Sequence, residues 1–503
     1  MMVWGSRWFR VLGILFFLTF ALGSPAWCAD TRVLIGWTEP GTAAQQLDAL
    51  AERLGVPLRL IRPLGESASV VAVERTLAPQ ALEALLRTLR ADPSVRDAQP
   101  DTLRQLRFVP NDFWYGAWPQ WYLYEPVGMR AHEAWDLQRG SASVVIAVLD
   151  SGILPHADLD GGRILAGYDF ISDLDIANDG DGRDPDATDP GDAVAAGECG
   201  PGEPAQDSTW HGLGITGVIA ATTDNTIGVA GIDHGARILP VRVFGQCGAL
   251  LSDILDAMRW AAGLSVPGVP DNPTPAQVLN LSFSASTACT LIEQQVVSEV
   301  IAAGAVVVAA AGNGDGVSGI GAGDADRESP GSCDGVITAT ALDRAGVLAS
   351  YSKVGSAVDI AVATGDGADG VITLYNDGAV SAGSDDYRPY QGTSYSAAQV
   401  SGVVGLILAA NPTLEPAAVA ELIRDSAGPF PDGSCNGLIC GAGLLDAAAA
   451  VAAAPGFSAS SLNSTGGGGG GGGCTLGATG AALPAPWLAL AIWAILRRRC
   501  GQR

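Results

Sequence analysis

The chain has 503 residues, 48% of them hydrophobic and only 16% charged, with a formal charge of −25 at neutral pH. That length exceeds one ordinary core, and that apolar content excludes a disordered polymer. The acidity repels phosphate backbones and anionic bilayers, which removes nucleic acid as a partner class.

Taken from the start, Arg7 and Arg10 precede an apolar run over 11–22 and small or turn residues through Ala29. This is the pattern of a secretory signal over 1–29, and export is the expectation. The periodicity then predicts a strand over 32–37, a helix over 43–54, a strand over 69–73 and a helix over 78–90. Together they make a small separate unit over 30–110, whose polar end around 101–111 is the expected maturation site.

From 111 to 454, β-branched runs at 143–149, 236–243, 278–283 and 305–310 alternate with helices predicted over 252–263, 291–303, 394–410 and 415–426. That alternation describes an α/β domain: a parallel sheet covered by helices on both faces. A Ser/Gly-rich linker over 455–473 follows, ending in eight consecutive glycines from Gly466 to Gly473. The tail over 474–503 carries an apolar stretch at 478–496, then Arg497, Arg498 and Arg499. Its length suffices to span a bilayer with the arginines on the cytoplasmic side.

Six of the nine cysteines lie in the body: Cys199, Cys247, Cys289, Cys333, Cys435 and Cys440. In an exported protein they are expected as three disulfides, paired nearest to nearest, although spacing leaves other connectivities open. Zinc is the competing use, but no C-x2-C or H-x3-H spacing accompanies them.

Acyl transfer at a peptide bond needs a hydroxyl nucleophile, a base, a carboxylate to orient that base, and donors for the oxyanion. Asp150 ends the apolar run Val-Val-Ile-Ala-Val-Leu-Asp, His211 opens a small-residue helix, and Ser394 stands at the start of a long apolar helix. Asn313 follows a buried strand in Ala310-Ala311-Gly312-Asn313. Alone, each is a turn residue, a surface histidine or a helix cap. No G-x-S-x-G elbow or H-E-x-x-H zinc helix offers an alternative chemistry.

In combination, Asp150-Ser151-Gly152, His211-Gly212, Ala311-Gly312-Asn313 and Gly392-Thr393-Ser394 occur in an order that resembles the subtilisin-like serine peptidase family. Further likeness lies in Ala349-Ser350-Tyr351-Ser352, Asn411-Pro412-Thr413-Leu414 and Gly441-Ala442-Gly443-Leu444-Leu445-Asp446. The resemblance implies a subtilisin-like α/β fold over 111–454 and endopeptidase activity on polypeptide substrates at neutral to alkaline pH. In it Asp150 orients His211, His211 is base and then acid, Ser394 forms the acyl-enzyme, and Asn313 with the Ser394 N–H holds the oxyanion. It also implies that Ser282, Phe283, Ser284, Ala310, Ala311 and Gly312 line the substrate cleft as extended backbone. Two departures stand out: Leu213 where the family has Thr, and Tyr395-Ser396-Ala397-Ala398-Gln399 where it has Met-Ala-x-Pro-His.

The N-terminal unit resembles the family's α+β inhibitor-like propeptide, through 89–95 and Gln99-Pro100-Asp101. This implies intramolecular inhibition followed by removal. The tail resembles glycine-rich, arginine-ended bacterial sorting signals, which implies transient inner-membrane retention and a sorting peptidase as a partner; a plain tether is the rival. A monomer is expected, with no organic cofactor. Residues 173–192 contain eight Asp and one Arg, which suits Ca²⁺, with Asp179, Asp181, Asp184 and Asp186 as candidate ligands. The second function class is a non-enzymatic exported scaffold or peptide-binding protein on the same fold, its triad misaligned by Leu213 and Tyr395.

Overall fold

The structure is a computed structural model, and it describes residues 31–457 apart from 40–42, 74–76, 78, 103–106, 117–119, 315–322, 432–434 and 436–438. The expected signal over 1–29 and the tail over 474–503 lie outside the described residues, as does the linker from 458 onward. The chain divides into two compact units between Val109 and Pro110.

In the first unit, β1 (Thr31–Trp37), β2 (Leu58–Pro63), β3 (Ala68–Val73) and β4 (Val95–Pro100) form an antiparallel sheet in the order β2-β3-β1-β4. Helices α1 (Ala43–Leu54) and α2 (Pro79–Arg90) bury Leu47, Leu50, Leu86 and Leu89 against Val33, Ile35 and Trp37 of β1. Alternation in β1 puts those three residues on one face. The strands β2 and β4 escape sequence reading because both are sheet edges, where Arg59, Arg62 and Pro63, or Arg96, Asp97 and Pro100, are tolerated.

The second unit is built on seven parallel strands: β5 (Val145–Asp150), β6 (Tyr168–Asp169), β7 (Arg237–Arg242), β8 (Val278–Leu281), β9 (Val306–Ala310), β10 (Ile337–Leu342) and β11 (Ile360–Ala363). Their order is β11-β10-β9-β8-β5-β7-β6. The strands read as unbroken apolar runs because helices cover both faces.

Helix α3 (His211–Ala220) precedes α4 (Leu251–Ala261) and α5 (Leu291–Ala302), which pack Met258 and Val297 onto the face carrying Val145, Ala147 and Leu149. Helix α6 (Thr393–Ala410) crosses the opposite face with α3 beside it. It is apolar all round because it is buried all round. Helices α7 (Pro416–Asp425) and α8 (Ala447–Ala453) complete that layer, and the hairpin β12 (Val371–Asn376) and β13 (Asp385–Tyr390) lies against α3. Disulfides join Cys199 to Cys247, Cys289 to Cys333 and Cys435 to Cys440, the nearest-neighbour pairing.

From β5 the strand order runs one way through β8 to β11 and the other way through β7 to β6. In open parallel sheets the crevice at such a switch point, outside the carboxyl ends of the strands, is where ligands bind. Asp150 is the last residue of the switching strand.

Candidate active site

Asp150 is buried at the end of β5, and His211 is the first residue of α3. The His211 Nδ1 lies 2.8 Å from Asp150 Oδ1 and 2.9 Å from Oδ2. Both carboxylate oxygens accept from one N–H, so Nδ1 carries the proton and Nε2 is left as the basic atom. Burial disfavours the charged ring, but the Asp150 carboxylate, with Asp192 and Asp189 further off, outweighs it and raises the His211 pKa above the ordinary histidine value.

Ser394 lies in the first turn of α6, where the positive end of the helix dipole favours developing negative charge; the neighbouring Thr393 N–H is taken by Asn313 and the Tyr395 N–H by the Gly392 carbonyl. Ser394, His211, Asp150 and Asn313 all line one cleft of about 590 Å³. Among the described residues Ser394 Oγ has no hydrogen bond to His211, a looseness common where nucleophile and base await a substrate.

The orientation of Asn313 is settled by its neighbours. The Thr393 N–H donates to Asn313 Oδ1 over 2.9 Å, and the Thr393 hydroxyl donates to the same oxygen over 3.0 Å. A backbone N–H can only donate, so this end of the amide is its oxygen, and the NH₂ end is free to donate elsewhere. The Gly312 N–H in turn donates to Thr393 Oγ1 over 3.1 Å, closing a chain of three groups.

Of the six residues expected to form substrate-binding backbone, Ser282, Phe283, Ser284 and Ala310 line the cleft. Ala311 and Gly312 are buried next to Ala310, the Ala311 N–H donating to the Ala339 carbonyl and the Gly312 N–H to Thr393. The disulfide partners Cys199 and Cys247 form part of the wall.

The four aspartates expected to hold calcium are not brought together. Asp179 Oδ2 pairs with Arg242 at 2.6 Å, while Asp184 and Asp186 accept backbone N–H groups two residues on, at 2.8 and 2.9 Å. The Asp181 N–H donates to Asp179 Oδ1 over 3.3 Å. Among the described residues no three acidic, histidine or cysteine side chains converge as a cation would require. The loop is instead held by arginines: Arg242 also pairs with buried Asp169, and Arg183 with Asp253 and Asp256.

Sequence reasoning missed three supports of the site. Ser151 donates to buried Asp189 over 2.7 Å and accepts from the Gly212 N–H over 3.1 Å, tying β5 to α3. Thr393 braces Asn313, and the ring of Tyr395 lies 5.7 Å from that of His211. Thr393 and Ser151 stood inside the recognised words, but only their contacts give them roles.

A parallel sheet with a histidine–carboxylate pair at its switch point, beside a serine at a helix start, defines a subtilisin-like hydrolase. Residues 141–465 match the Subtilase family. An extracellular protease of Xanthomonas campestris pv. campestris is 40% identical over 438 residues, covering 87% of this chain and 72% of that protein. An extracellular basic protease of Dichelobacter nodosus is 36% identical, covering 79% and 64%. Among solved structures, a protease from Pseudoalteromonas arctica is 44% identical with a TM-score of 0.65, covering 69% of this chain and all of that one. The chain belongs to the subtilase family and is a serine endopeptidase.

Proposed function

We propose that Ser394, His211, Asp150 and Asn313 carry out peptide-bond hydrolysis by acyl transfer in this cleft. His211 Nε2 removes the Ser394 Oγ proton as Oγ bonds to the scissile carbonyl carbon, and the carbonyl oxygen becomes an oxyanion. The Asn313 amide and the Ser394 N–H receive that charge. The C–N bond then breaks as His211 returns its proton to the departing amine, and water repeats the sequence to release the acyl group. Asp150 holds the ring in the required tautomer and offsets its transient positive charge.

The observation carrying this reading is the hydrogen bond from His211 to both Asp150 oxygens inside the cleft that Ser394 and Asn313 line. It also weighs against the scaffold alternative, since the pair is intact despite Leu213 and Tyr395. The test is labelling with a fluorophosphonate probe, wild type against Ser394→Ala. Ser394-dependent labelling is expected, and its absence from the processed wild-type protein overturns the assignment.

The substrates are polypeptides, and the chain is exported, in keeping with relatives described as extracellular. The N-terminal unit over 30–110 acts as an intramolecular inhibitor removed after folding; the division at Val109 and Pro110 supports a cut near that point. Ser394→Ala should then accumulate uncut precursor. The tail over 474–503, behind the 455–473 linker, retains the chain at the inner membrane until a sorting peptidase releases it. Structural calcium is supported by the acidic composition of residues 173–192, whose Asp179, Asp181, Asp184 and Asp186 would have to draw together to hold it, and no catalytic step is assigned to it.

A further inference from the structure

Two features set this chain apart from its family's pattern near the nucleophile, Leu213 and Tyr395, and the structure brings them onto one support. Tyr395 follows Ser394 in α6 and is fully buried. One side of its ring meets the His211 imidazole edge-on, with centroids 5.7 Å apart and planes at 67°. The Tyr390 ring lies stacked on it at 5.1 Å and 19°. Tyr390 ends β13, and its hydroxyl donates to the Thr209 carbonyl over 3.2 Å, two residues before His211. Tyr390 also packs on the apolar cluster that contains Leu213 and Leu374.

The Tyr395 hydroxyl has no hydrogen-bond partner among the described residues, although it is buried. Such a group is costly, so its retention is not explained by polarity. Space for it exists because residue 214, one turn beyond His211, is glycine: a Cβ there would stand 3.2 Å from the Tyr395 Oη. The bond from Nδ1 to Asp150 fixes one atom of the imidazole but leaves the ring able to pivot about that bond. Pivoting moves Nε2 relative to Ser394. A rigid aromatic neighbour, itself backed by a second ring, limits that pivot, which the flexible methionine of the family's pattern does less well.

We propose that Tyr395 is a positioning residue for His211, acting through its ring and backed by Tyr390. The inference rests on His211 being the general base. Its test is steady-state kinetics on a chromogenic peptide substrate, normalised to the concentration of sites titrated by a fluorophosphonate.

Tyr395→Phe should keep kcat within about twofold, since the ring is retained. Tyr395→Ala should lower kcat per titrated site by about 10- to 100-fold, the size of effect that misplacing a reacting group produces, with KM little changed. Tyr390→Ala, further from the reacting atoms, should lower kcat by a smaller factor, and its effect should shrink in the Tyr395→Ala background.

Wild-type kcat per site in Tyr395→Ala overturns the inference, as does an equal loss in Tyr395→Phe. If Tyr395→Ala does not mature, Tyr390→Ala decides: unchanged kcat rejects the stacked support. A wild-type chain lacking Ser394-dependent turnover would instead reject the underlying assignment, so the two failures are distinguishable.

Discussion

Gly212 and Gly152 are in backbone contact: a Cβ on Gly212 would stand 2.2 Å from the Gly152 carbonyl oxygen and 3.2 Å from the Asp150 Cβ. The first turn of α3 can therefore reach the end of β5 only while residue 212 has no side chain. Gly212→Ala should push His211 away from Asp150 and reduce kcat by about 10²-fold or more, because misplacement of about an ångström is enough for such a loss. Turnover per titrated site, with circular dichroism to confirm folding, checks this; activity near wild type would contradict the close approach.

Thr393→Val keeps the backbone N–H bond to Asn313 but removes the hydroxyl that donates to Asn313 and accepts from Gly312. The amide loses one of its two restraints, and the Gly312 N–H loses its acceptor. The expected loss in kcat is about tenfold, with KM little changed. That is smaller than the roughly 10²–10³-fold measured for removing the corresponding amide from subtilisin. A loss appearing only in KM would place Thr393 in substrate binding instead.

If His211 is the base proposed above, its raised pKa should set the acid limit of activity. In that mechanism only the neutral imidazole accepts the Ser394 proton, so activity should fall as pH drops through a value above the ordinary histidine pKa of about 6.5. The paired, protonated ring adds stability at low pH, and this contribution fades as pH rises through the folded pKa. Asp192 and Asp189 both push the value upward, so Asp192→Asn should move the acid limb of kcat/KM to lower pH. A limb that stays in place or moves the other way would show that Asp192 does not act on His211.

Asp179 serves Arg242, a fully buried cation that also holds Asp169 and the Ala177 carbonyl. Asp179→Ala should cost about 1.5–3 kcal/mol, the range for a hydrogen bond to a charged partner. The melting temperature should fall by the same amount in Ca²⁺ and in EGTA. A loss seen only in Ca²⁺ would return Asp179 to the role of metal ligand.

Legibility followed locality. The words around Asp150, His211, Asn313 and Ser394 are readable because each lies where a strand ends or a helix starts, and β5, β7, β8 and β9 announce themselves as apolar runs, whereas buried β10, with its alternating threonines, and the four-residue β11 do not. The edge strands Leu58–Pro63 and Val95–Pro100 are not readable, since their charges and prolines match loop chemistry. The acidic stretch is legible only in part, for a different reason: composition reveals a surplus of carboxylates but not that Arg242, more than 60 residues later in the chain, lies between Asp169 and Asp179. The support of His211 by Tyr395 is likewise a contact between residues far apart in the chain, visible only when α3, α6 and the hairpin are assembled.

The brace between Thr393 and Asn313 has a consequence for timing. It joins groups 80 residues apart, one three residues beyond the end of β9 and one at the start of α6. An emerging chain that has exported β5, α3 and β9 possesses a histidine and its carboxylate but neither the nucleophile nor a set oxyanion donor. The four-part site is thus completed only when this late helix docks, and in the proposed scheme it then stays silent until the N-terminal unit is removed.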